Sequence, residues 1–185
     1  MGFFGTLKEK LRDKTRDRLC AALCAMGIDA RLAERDRVEE EFGGKGSIGL
    51  IEIPEGPIRW VNVSKRGDNT PTHYYTDYGV PDPRLEPDSQ EPFMHSARKK
   101  TFPVFGQVVD VQWEGEDWGT GVIDRLNSDH QLKHPIMESH DVTIEAIGDY
   151  GCWIISTKTC DIPSEELLSC YQTIAQHLLA EWSSG

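Results

Sequence analysis

The chain has 185 residues and a mass of 20.9 kDa, and with 38% hydrophobic residues it suits one domain with a real apolar core. Its 31 acidic side chains outnumber the 20 basic ones, for a formal charge of −11. That balance speaks against a general nucleic-acid binder, which carries a basic footprint. No apolar run reaches the roughly 18 residues of a membrane span, and MGFFGTLKEK lacks the apolar centre of a secretory leader, so the expected location is cytoplasmic.

Apolar residues from Phe4 through Leu7, Leu11, Leu19, Leu23 and Met26 recur at three-to-four spacing. This predicts a helix over 3–26, closed by Gly27. Lys8, Lys10, Arg12, Lys14, Arg16 and Arg18 sit on its polar face, so the start of an acidic chain is basic. A membrane-surface role through Phe3, Phe4, Leu7 and Leu11 is one consequence, and packing on the domain's own sheet is the simpler one. The next stretch is ambiguous between strand and helix. It is read as a short strand over 28–32 and a charged turn.

Gly44-Lys45-Gly46-Ser47-Ile48-Gly49 matches G-x-G-x-x-G. A dinucleotide loop must follow a strand and open a helix, and here an acidic run precedes it and a strand follows. It is read as the approach to a strand. Alternating β-branched residues predict strands over 47–53 and 58–65, joined by Pro54-Glu55-Gly56-Pro57 as a turn. Asn62-Val63-Ser64 fits a glycosylation acceptor only in a secreted chain and is set aside.

Residues 67–103 hold Pro71, Pro81, Pro83, Pro87, Pro92 and Pro103 beside many acids, and read as one long loop. Its aromatic content is high for a bare linker. His73, Tyr74, Tyr75, Tyr78 and Phe93 are therefore the expected partner-contact residues. Arg98-Lys99-Lys100 is a compact basic patch, read as a source of local ion pairs.

Strands are expected over 104–113 and 120–126, around an acidic turn at 114–119 flanked by Trp113 and Trp118. Carboxylates at Asp110, Glu114, Glu116, Asp117 and Asp124 are candidates for acid–base work near sugar-stacking aromatics. A polar connector over 127–139 follows. His130, His134 and His140, with Glu138 and Asp141, are the candidate metal ligands, because imidazole and carboxylate suit zinc or iron. Gln131 stands where a metalloprotease helix needs Glu, and Pro135 argues against a helix through His134.

Strands over 142–147 and 152–157 form a hairpin across Gly148-Asp149-Tyr150-Gly151. Pro163-Ser164-Glu165-Glu166 opens a final helix that runs to about Trp182 on the apolar series Leu167, Leu168, Tyr171, Ile174, Ala175 and Leu178. Among Cys20, Cys24, Cys152, Cys160 and Cys170 there is no C-x-x-C pair, which fits reduced, packed thiols. No G-x-S-x-G occurs. Met1-Gly2-Phe3-Phe4-Gly5-Thr6 meets the loose acylation pattern, which is short and often met by chance.

Helix, hairpins and helix without a βαβ repeat give an α+β fold: an antiparallel sheet of about six to seven strands, with the N- and C-terminal helices on one face. One domain over 1–185 is expected, with the loop at 67–103. The leading functional expectation is a non-enzymatic binding or accessory protein acting through protein–protein contacts, its partner another protein or a second copy. The alternative is a small metal-dependent or acid–base enzyme using the 130–141 cluster. No cofactor is specified.

Overall fold

Among the described residues eight strands pair into one antiparallel sheet, in which the first four lie side by side in chain order, followed by the eighth, seventh, fifth and sixth. In a computed structural model of the chain, residues 14–34, 46–66, 73–87, 91–101, 107–159 and 161–182 are described. The expected helix start at Phe3, the glycines at 43–44 and Cys160 lie outside them. The strands are β1 (Arg31–Leu32), β2 (Ser47–Glu52), β3 (Trp60–Arg66), β4 (His73–Pro81), β5 (Phe93–Lys100), β6 (Val108–Glu116), β7 (Val142–Ile147) and β8 (Cys152–Thr157). The helices are α1 (Thr15–Ala25), α2 (Val122–Ser128), α3 (Lys133–Glu138) and α4 (Glu165–Leu179).

Register assigns each face. Ile51, Val61, Tyr78, Ile155, Ile144 and Met94 stand opposite one another in turn from β2 to β5. Directly opposed residues share a face, so this apolar row lies on one side of the sheet. It belongs to the main core cluster, with Leu19 and Leu23 of α1, Val122 and Leu126 of α2, Ile136 of α3, and Leu168, Tyr171, Ile174 and Leu178 of α4. Residues of all four described helices thus pack with this row. On the opposite face Leu50, Trp60, Cys152 and Ile154 form a smaller cluster. The Trp60 indole lies where a Cβ on Gly79 would be, so that crossing requires glycine.

The sheet has one or two strands more than expected because β4 and β5 lie within 67–103, which was expected to be a loop. Residues 76–80 of β4 are buried on both faces, as in an interior strand, whereas in β5 Met94 and Ser96 are buried and the half-exposed His95 between them faces the other way. Pro83, Pro87 and Pro92 stand in the connection between the two strands, and Pro81 at a strand end, where a missing N–H costs little. That connection wraps the β7–β8 turn. Asp82 N–H donates to Gly151 O, Ala146 N–H to Pro92 O and Gly148 N–H to the Glu91 carboxylate.

The same connection fastens α4. Asp82 is buried and accepts from Trp153 Nε1 at 3.0 Å and from Arg84. Arg84 in turn donates to the carbonyls of Leu178 and Ala180 and stacks over Trp182 at 4.7 Å. A cation there also suits the negative end of the helix dipole. Burial pushes the Asp82 carboxyl up, but the hydrogen bonds from Arg84 and Trp153 outweigh it and hold the group below its ordinary range.

Four further local expectations change. The 120–126 segment is helical, because Gly119 and Gly121 at φ 80° and 71° break the extended chain. The Asp117 carboxylate accepts from Gly119 N–H and Ile123 N–H, and Thr120 Oγ1 from Val122 N–H. The 127–139 connector is a 3-10 turn running into α3, and Pro135 sits in the first turn of α3, where no intrahelical N–H is needed. Only Arg31 and Leu32 of the expected 28–32 strand pair. Arg16, placed by its spacing on the polar face, is instead 4% exposed, its guanidinium lying where a side chain on Gly49 would be.

Candidate functional site

Two regions collect polar or aromatic residues outside the core. The first is the far end of the β5–β6 hairpin, on the face opposite the described helices. Glu145, Phe93 and Glu116 stand opposite one another across β7, β5 and β6, and the next row is Thr143, His95 and Glu114. All six side chains share that face by register. Phe93 is 47% exposed and its ring lies 6.2 Å from that of His95.

Two residues beyond Glu116 the chain turns, and Trp118 is held at φ 49° with 49% of its surface exposed. A left-handed conformation is costly for an aromatic residue, by roughly 1–3 kcal/mol. The turn imposes it. Thr120 N–H returns to Asp117 O, the Asp117 carboxylate fixes Gly119 and Ile123, and Trp118 Nε1 donates to Glu91 O at 3.3 Å. Glu91 is two residues ahead of Phe93, so both aromatic side chains occupy one corner.

Among the described residues no Lys, Arg or His comes within ion-pair distance of Glu114 or Glu116. At the opposite end of the hairpin several cations have partners. Arg98 donates to Ile136 O and Ser139 O, Lys99 stands opposite Asp110, and Lys133 Nζ meets Asp110 at 3.0 Å. The hydrogen bond from Lys133 holds the Asp110 carboxyl below its ordinary range. Asn127 closes the edge of β6: its side-chain amide donates to Trp113 O and accepts from Trp113 N–H, occupying the groups another strand would pair.

The second region is an open cleft of about 790 Å³ in the helical layer, lined by Asp124, Arg125, Ser128, Asp129, His130, Gln131 and His177. His177 Nε2 lies 2.8 Å from Asp129 Oδ2, and Asp129 Oδ1 caps the 3-10 turn through Gln131 N–H. The hydrogen bond from His177 holds the Asp129 carboxyl below its ordinary range. Arg125 is spent on the carbonyls of Thr120 and His177. A general-base histidine normally keeps its distal nitrogen for substrate, whereas here the distal nitrogen is tied to Asp129. Burial pushes the Cys170 thiol up to about 12, which disfavours the thiolate.

The expected metal ligands do not converge. His130 lines the cleft. His134 is exposed between Glu138 and Glu166, each 3.6 Å away, and His140 is exposed beyond α3. Among the described residues no group of three or more His, Cys, Asp or Glu side chains is arranged to hold a metal ion. Nor do the five expected contact residues form one patch. Tyr78 is buried, its ring 4.7 Å from that of Tyr171. Tyr74 lies under Lys65, Tyr75 is half-buried, and His73 opens β4 opposite Arg66, far from Phe93. Trp113 is buried, so the expected aromatic pair at the acidic turn reduces to Trp118.

No helix among the described residues is long and apolar enough to cross a membrane. Comparison with protein-family models, curated proteins and solved structures finds no match for this chain.

Proposed function

We propose that the chain is a non-enzymatic binding protein that acts through protein–protein contact, with the Phe93–Trp118 corner as its contact surface. The observation that carries this reading is Trp118. A large aromatic is fixed in a strained backbone conformation, half-exposed, its indole bonded to the carbonyl of Glu91, two residues ahead of the half-exposed Phe93. Nothing in the core needs either side chain there. Rigid, exposed aromatics with a polar rim are the usual anchors of protein interfaces.

The acid–base alternative has the His177–Asp129 pair in its favour, but the pair's geometry suits a clamp between α4 and the 3-10 turn. The two readings separate in one experiment. Proteins co-purifying with the tagged chain from its own source are identified by mass spectrometry, for the wild type, for Phe93→Ala/Trp118→Ala, and for His130→Ala/His177→Ala. The account expects a defined partner with the wild type and the histidine variant, and its loss with the aromatic variant. Equal recovery with all three, or loss only with the histidine variant, overturns it.

A further inference from the structure

We infer that the partner segment seated on this corner is basic, a Lys or Arg side chain laid over the Phe93 and Trp118 rings with Glu114 and Glu116 as its counter-charges. This rests on the contact surface proposed above. Neighbouring strands are about 4.8 Å apart, so the side chain of Glu116 rises directly beside the exposed ring of Phe93, and Glu114 beside His95. A cation over an aromatic face is attracted by the ring quadrupole, and a carboxylate at the ring edge adds to the attraction.

The charge layout along the hairpin supports the choice. At its basic end Arg98 is matched by backbone carbonyls and Asp141, and Lys99 stands opposite Asp110. Its acidic end has no cation of this kind among the described residues for Glu114 or Glu116. The whole chain carries −11, so an acidic partner, or the acidic body of a second copy, would be repelled. An uncharged apolar partner would leave both carboxylates desolvated and unpaired, at a cost.

The test is a titration of the 15N-labelled full chain with capped tetra-arginine, and with capped tetra-glutamate as control, followed by 1H–15N spectra. The expected result is a set of shifts concentrated on the Trp118 indole N–H and the amides of Phe93, Glu114 and Glu116. Binding should weaken about tenfold between about 20 mM and about 200 mM salt, and about tenfold in Glu114→Gln/Glu116→Gln, whose fold is checked by the unchanged remainder of the spectrum. Tetra-glutamate should move nothing. Shifts spread evenly over the acidic surface, or shifts that survive both substitutions, overturn the inference. So does movement of the Trp118 signal with protein concentration alone, which would make a second copy the occupant. If the corner still selects its partner in the co-purification experiment while tetra-arginine moves nothing, the contact surface stands and the basic partner falls.

Discussion

The corner and the cleft both gather carboxylates and a histidine, and use them differently. In the cleft three strong polar groups have structural roles. His177 and Asp129 bind each other, Arg125 holds two carbonyls, and Asp129 also caps a turn. At the corner Phe93, Trp118, Glu114 and Glu116 have no comparable role, apart from the one hydrogen bond that orients the Trp118 indole. Density of chemistry-bearing residues is therefore a poor guide to function. A better guide is whether the fold consumes them. Groups tied off by intramolecular bonds report on stability, and rigidly presented groups without such ties report on recognition.

That contrast predicts a separation of effects, largest first. Phe93→Ala/Trp118→Ala should weaken partner affinity by at least about a hundredfold, since interface aromatics cost about 2 kcal/mol each on truncation. Its melting temperature should move by no more than about 2 °C, because neither ring packs in the core. Calorimetry of both properties checks this, and a large fall in melting temperature would break the contrast.

Arg125→Ala should do the reverse. It releases the Thr120 and His177 carbonyls and should cost about 2 kcal/mol in denaturant unfolding, with partner affinity unchanged. Asp129→Asn is milder, at about 1 kcal/mol. Its signature is the pH dependence. The folded Asp129 carboxyl lies below the ordinary value of 3.8, so its contribution is complete above that value and is lost as pH falls through the lower folded one. Unfolding midpoints measured downward from about pH 6 should show a shallower acid decline in the variant. Trp118→Gly should have the smallest effect on stability, under about 1 kcal/mol, because relief of the left-handed strain offsets the lost indole hydrogen bond. It should nevertheless weaken partner binding as much as Trp118→Ala does.

The legible parts of the fold were those with local signals. Alternation located β2–β3 and β7–β8, and the Ser164 cap located α4, where its hydroxyl accepts from Leu167 N–H. β4 and β5 were hidden by prolines and acids that belong to the connections, although Thr76, Tyr78 and Val80 already alternated. Their pairing with β8 and β7 joins residues up to 81 positions apart, Thr76 with Thr157, and no local pattern announces such a contact. Val122 and Ile123 looked like a strand until the Asp117 and Thr120 caps turned them into a helix. Of the contact residues, Phe93 was legible as an exposed aromatic. Trp118 was legible only as a neighbour of acids, because its left-handed backbone is a product of the turn. The histidines of 130–141 were close in sequence, but a 3-10 turn followed by α3 points His130 and His134 to different neighbours.

The most direct test of the central claim compares the corner with an exposed position on α3, in parallel cultures. Benzoylphenylalanine is placed at position 118 or, in a second culture, at the exposed position 134, and the cells are irradiated. The account predicts a discrete covalent adduct with one protein from 118 and none from 134, the cross-linked segment of that protein being rich in Lys or Arg. Adducts from 134 with none from 118 would contradict it.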